Sequence, residues 1–200
     1  MIRWLQIYGI TNAEDARIAE AAGASAIGLT LIPGDPRAVG IDEASEIARQ
    51  LRTPIEVLVD QPTQDDLRQI ALMVEPARLQ IRGGLPTDAE YLGPWYRAFD
   101  VFERSALSQL RSHPGDRFVA RYAPNHRTGF RRRDSSFLKE AGRLGAMILD
   151  GDLLQEDLAD TLHSARAFGV QLNSSIESDI GVKDPPLLRE RLRALGWHHR

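Results

Sequence analysis

The chain has no cysteine among its 200 residues. Disulfides, thiolate nucleophiles and cysteine-ligated metals are therefore excluded. It also lacks long apolar runs: none approaches the roughly 18 residues that span a bilayer. A strong charge of one sign is missing too. Twenty-five basic and 28 acidic residues leave a formal net charge of −3, so no global field draws the protein to nucleic acid or an anionic membrane. The one dense basic stretch, Arg127 and Arg131 to Arg133, lacks the interleaved aromatics of a stacking platform. The five histidines, His113, His126, His163, His198 and His199, show no i, i+4 ligand spacing, so neither a metal nor a cofactor is expected. The first strand starts almost at Met1, which leaves no room for a signal peptide. The expectation is a soluble cytoplasmic protein.

What is present is ordinary for one compact domain over residues 1–200: 42% hydrophobic and 26% charged residues, with enough chain to bury a sizeable core. The N-terminal stretch sets the pattern. A short apolar strand over 4–7 ends at Gly9, and Thr11 or Asn12 can cap a helix carrying Glu14 and Asp15 in its first turn. That βα turn places Tyr8 at a strand end, where α/β proteins gather small-molecule chemistry.

The same alternation continues along the chain. Helices are predicted over 12–22, 42–51, 63–73, 87–92, 105–110, 135–143, 153–168 and 187–195. Strands are predicted over 4–7, 26–32, 55–60, 77–81, 96–101, 117–122, 146–149 and 170–172, with a polar loop over 125–133. The apolar strands read as core. Eight strand–helix alternations in about 200 residues predict a (β/α)8 TIM barrel, with a doubly wound open sheet as rival.

Several stretches resemble a known family. Gln6-Ile7-Tyr8-Gly9-Ile10-Thr11-Asn12, Asp15-Ala16, Ala22 to Gly28 and Asp35-Pro36-Arg37 are similar to the N-terminal third of phosphoribosylanthranilate isomerase, which opens K-x-C-G-I-T. Asn173-Ser174-Ser175-Ile176-Glu177-Ser178 and Gly181-Val182-Lys183-Asp184-Pro185 resemble its closing S-S-G-V-E and G-x-K-D. Leu79 to Gly83 looks like its Q-L-H-G strand. Thr128-Gly129 with Arg133-Asp134-Ser135 resembles its G-T-G and F-D-W segment, and Leu149 to Leu153 its L-A-G-G-L. The likeness runs the whole chain in order. It implies a small barrel and an Amadori rearrangement in tryptophan synthesis.

The departures fall on the working positions. The family's general base, the cysteine of K-x-C-G, corresponds to Tyr8. Its general acid, an aspartate ending strand six, aligns with Arg121. A phenol with an unperturbed pKa of about 10 is a weak base at neutral pH, and arginine, with a pKa above about 12, is a poor proton donor. Losing one positioned proton-transfer group costs roughly 10²–10⁴ in rate. The phosphate cup is altered as well: the family's paired glycines become Gly151-Asp152, and the glycine after its two serines becomes Ser175. Arg37, which in the family contacts the substrate's anionic groups, and Ser174 are kept.

The expectation is an isomerase-like barrel with little of the original activity. Tyr8, Arg121 and Asp150 are its candidate proton-transfer groups. A small anionic, possibly phosphorylated, ligand would be held by Arg37, Arg82, Arg121, Gly151, Asp152, Ser174 and Ser175. The arginines could instead pair internally with Asp60, Asp100, Asp150 and Asp152. The alternatives are a non-catalytic protein binding an acidic partner through the Arg127–Arg133 loop, and a working isomerase of tryptophan synthesis.

Overall fold

A computed structural model describes residues 2–86, 93–100, 105–112, 116–121, 132–151 and 158–197, with the backbone alone for 132–135. Strand β1 is Trp4–Ile7, β2 Ala26–Thr30, β3 Ile55–Asp60, β4 Arg78–Arg82, β5 Trp95–Asp100, β6 Arg117–Arg121, β7 Ala146–Asp150 and β8 Gly169–Leu172. They close into one parallel barrel in sequence order, β8 pairing back onto β1 with Gln6 opposite Gln171. The open sheet is thereby ruled out.

Helices alternate with the strands: α1 Ala13–Ala21, α2 Ile41–Arg49, α3 Gln64–Met73, α4 Ala106–Arg111, α5 Arg132–Leu144, α6 Leu158–Ser164 and α7 Pro185–Ala194. Asn12, rather than Thr11, caps α1 by accepting from the Asp15 N–H at 2.8 Å. Thr63 and Asp66 form a reciprocal capping box on α3. None of the described helices is long and apolar enough to cross a membrane.

Two elements differ from expectation. Helix α5 starts at Arg132, inside the stretch read as loop, because polarity marks a solvated helix turn as readily as a loop and arginine is a good helix former. After β8 the chain was read as plain loop. It forms instead a 3-10 turn, Ser174–Ile176, then an antiparallel hairpin of β9, Glu177–Asp179, and β10, Val182–Lys183. The helix expected over 87–92 lies outside the described residues.

Successive side chains in a strand point to opposite faces. The outward set, with Ile7, Leu29, Val57, Ile81, Leu149 and Leu172 among it, packs against the helices as the main core. The inward set is different. Gln6, Glu56, Gln80 and Gln171 are buried there, beside a small cluster of Tyr96, Val119 and Ile148. Barrel interiors are usually filled by bulky branched residues. The reading of the strands as apolar core therefore holds for their outer faces and is corrected for their inner ones.

Candidate functional site

The inward parity can be followed to the C-terminal strand ends. From Glu56 it reaches Asp60, from Gln80 Arg82, from Tyr96 Asp100, from Val119 Arg121, and from Ile148 Asp150. Asp60 stands opposite Arg82 and Asp100 opposite Arg121 in the sheet register. Ala120 pairs with Leu149, which sets Arg121 beside Asp150. The mouth of the barrel is thus ringed by alternating acids and guanidiniums. The expected gathering of Arg82, Arg121, Asp60, Asp100 and Asp150 at one mouth is what the closed barrel produces.

Arg82 and Arg121 make no ion pair or side-chain hydrogen bond among the described residues, and the Nε–H of each is buried without an acceptor. Burial pulls the Arg82 pKa below its ordinary value, and the neighbouring Arg121 charge adds to this against Asp35, Asp60 and Asp150.

Arg37 has a different environment. Its Nε lies 3.0 Å from both Glu177 carboxylate oxygens and its Nη2 2.6 Å from Oε2. Lys183 Nζ donates to the same carboxylate at 2.6 Å. The side chains of Glu177 and Lys183 are 4% and 1% exposed. Burial disfavours the Glu177 anion, but hydrogen bonds from Arg37 and Lys183 outweigh that and lower its pKa. Neither Glu177 nor Lys183 was singled out as a site residue from sequence, although both lie in the motif stretches that carry the family likeness. Internal pairing of Arg37, left open above, is realised with this glutamate.

Gly9 lets these loops close over β1. With φ at +67° its backbone suits glycine, and a β-carbon there would lie 2.2 Å from Asn173 Oδ1 and 2.6 Å from Arg37 Cδ.

Tyr8 continues β1 inward, its N–H donating to Leu172 O at 2.9 Å. The side chain is 1% exposed. Its ring lies on Gly28, where a β-carbon would approach it to 2.3 Å. Its hydroxyl turns into the barrel, 3.4 Å from that of Tyr96. Tyr96 donates to Glu56 Oε2 at 2.6 Å, and Gln6 Nε2 donates to Tyr96 at 2.8 Å and also to Glu56. Desolvation, then the Glu56 charge, push the Tyr8 phenol well above its ordinary pKa, and burial raises the Glu56 carboxyl. This interior cluster was not anticipated. Its sequence signal was Glu56, a carboxylate inside an otherwise apolar strand.

Of the remaining candidates, Gly151 directly follows β7, and a β-carbon there would come within 2.8 Å of Val170. Ser174 opens the turn after β8 and Ser175 is buried within it. Asp152, the Arg127–Arg131 stretch and four of the histidines lie outside the described residues, as do the side chains of Arg132 and Arg133. Among the described residues, no group of three or more histidines or carboxylates could hold a metal ion.

A protein of Syntrophomonas wolfei named N-(5'-phosphoribosyl)anthranilate isomerase is 33% identical over 193 residues, covering 93% of this chain and 94% of its own. The chain belongs to the phosphoribosylanthranilate isomerase family. A namesake from Pseudomonas paraeruginosa is 29% identical over 204 residues, with 92% of this chain and 91% of the relative aligned. The crystal structure of phosphoribosyl anthranilate isomerase from Thermus thermophilus superposes with a TM-score of 0.81 at 25% identity, over 96% of this chain and all of that one. The Thermotoga maritima enzyme of the same family shares the fold, with a TM-score of 0.83 at 21% identity, over 98% of this chain and 99% of that one. No family-level sequence model matches the chain.

Proposed function

We propose that this member of the isomerase family binds a small phosphorylated or otherwise anionic molecule at the barrel mouth, through Arg82 and Arg121, and has lost most of the family's Amadori isomerisation. The observation that carries the first half is the pair of neighbouring guanidiniums whose Nε–H groups have no acceptor among the described residues. A dianion between them would satisfy both Nε–H groups by charge-assisted hydrogen bonds, while Asp60, Asp100 and Asp150 would accept from ligand hydroxyls. Arg37 and Ser174 stand beside this mouth, Arg37 with its charge already answered by Glu177.

The second half rests on Tyr8. A general base needs access to the proton it removes and a pKa near the working pH. Burial denies Tyr8 the first and raises its pKa away from the second. At 121, where the resemblance puts the family's acid, stands a guanidinium, a residue type that makes a poor proton donor. Asp150, inward and beside Arg121, remains the best-placed carboxylate for proton transfer.

The test is direct assay of the purified protein with N-(5-phosphoribosyl)anthranilate, together with complementation of a tryptophan auxotroph lacking this isomerase. No growth at ordinary expression is expected. Growth would overturn the second half and favour the other reading, a working isomerase of tryptophan synthesis. That reading draws its support from the relatives, which bear that enzyme's name along the full length of the chain.

A further inference from the structure

The opposite, N-terminal face of the barrel carries a half-open cavity of about 440 Å³. Ile2, Leu162, Phe168 and Leu195 supply apolar wall, and Arg3, His163 and Arg166 supply the polar lining. Among the described residues no carboxylate lines it. Neither arginine, nor His163, makes a side-chain hydrogen bond or ion pair among the described residues. His163 and Arg166, in and just beyond the last turn of α6, partly answer the negative C-terminal end of that helix. Arg3 belongs to no helix, and its charge has no such counterpart.

The wall is rigid. Phe168 stacks on Trp4 with centroids 6.2 Å apart. The Arg117 guanidinium lies 5.8 Å from the Phe168 ring centre and 4.7 Å from that of Trp4. Arg166, with φ at +54°, is the left-handed residue that closes α6, the Ala167 N–H donating to Leu162 O at 2.9 Å. A cavity of this size that sets an apolar wall beside cationic side chains has the general form of a small-molecule site.

We infer that this cavity binds a small organic anion with an apolar, flat body, an aryl carboxylate, its ring on the Phe168 wall and its carboxylate at Arg3 and Arg166. The site lies at the far end of the barrel from Arg82 and Arg121 and does not depend on what the mouth binds.

The probe is 2-naphthoate, with neutral 2-naphthamide as control, titrated into the full-length protein and followed by amide chemical shifts. Saturable shifts confined to residues 2–4 and 162–168 are expected, with the amide binding at least tenfold more weakly. The Arg3→Ala/Arg166→Gly variant, in which glycine accepts the same backbone conformation, should lose at least tenfold in naphthoate affinity. If that variant does not fold, Arg3→Ala alone should lose several-fold. Shifts at the mouth instead, equal binding of naphthamide, undiminished binding by the variants, or no binding at all would each overturn the inference.

Discussion

At the residue scale, one phenol and one carboxylate account for most of what is unusual inside the barrel. The Tyr8 ring occupies space that any side chain at position 28 would claim. Gly28→Ala should therefore destabilise the protein, by about 2 kcal/mol or more, because a methyl forced into a filled core cannot be relieved when the ring it meets is itself enclosed. In a Tyr8→Cys background the same change should cost far less. A double-mutant cycle by urea denaturation measures the difference, and additive effects would contradict the packing argument.

Glu56 makes a separate prediction. Its carboxyl titrates higher in the folded chain than in the unfolded one, so the folded state holds the proton more tightly. Its contribution to stability is complete below the unfolded pKa of about 4.3 and is lost as the pH rises through the folded value. Glu56→Gln keeps an acceptor for Tyr96 and carries no charge. The variant should match the parent near pH 4 and melt at a higher temperature at pH 7. A lower melting temperature at pH 7 would show that the anion is stabilised in place.

At the scale of elements, the hairpin of β9 and β10 is tied to the barrel by buried charge. Lys183 N–H donates to Asp15 Oδ2 at 3.0 Å, and Thr11 Oγ1 donates to the Gly181 carbonyl at 2.8 Å. Glu177 sits between Arg37 and Lys183. Removing one member of a buried ion cluster strands the others, at a cost of about 3–5 kcal/mol. Glu177→Gln should show a loss of that order in chemical denaturation at pH 7. Because the Glu177 carboxyl titrates low in the folded state, its stabilisation is present above the unfolded pKa and is lost as the pH falls through the folded value. The variant's acid limb should accordingly be flatter than the parent's. The hairpin was missed in the sequence because its strands are three and two residues long, too short for alternation to register. Arg132 and Arg133, which open α5, were read as loop for the opposite reason: a solvated helix turn and a loop have the same composition.

At the scale of the molecule, closure of the barrel makes a site from residues scattered over the chain. Arg82 and Arg121 are 39 positions apart in sequence, yet the Arg121 charge helps to lower the Arg82 pKa. Inorganic phosphate is expected to stabilise the whole protein, by up to about 2.7 kcal/mol at a hundredfold excess over its dissociation constant. Arg82→Ala and Arg121→Ala should each remove most of that gain in a thermal-shift titration, while Arg37→Ala should leave phosphate binding near its original strength and lower the melting temperature. Phosphate stabilisation that survives loss of both mouth arginines would place the anion elsewhere.

The sequence by itself determined the barrel, the family and the positions at strand ends. Each rests on local information: a period of two or 3.6, a capping residue, a motif read in order. The residue types at positions 8 and 121 were equally legible, and identity alone fixes what a phenol or a guanidinium can do with a proton. Tertiary structure alone decided which charges meet. It gave Arg37 to Glu177 and set Arg82 and Arg121 near one another, each Nε–H without an acceptor among the described residues. It turned Tyr8 inward onto Gly28 and Tyr96, and it set Gln6, Glu56, Gln80 and Gln171 inside the barrel beside Tyr96, Val119 and Ile148. Burial and Coulomb energy depend on distance through space, and the closure of β8 onto β1 sets those distances without leaving a trace in any one stretch of sequence.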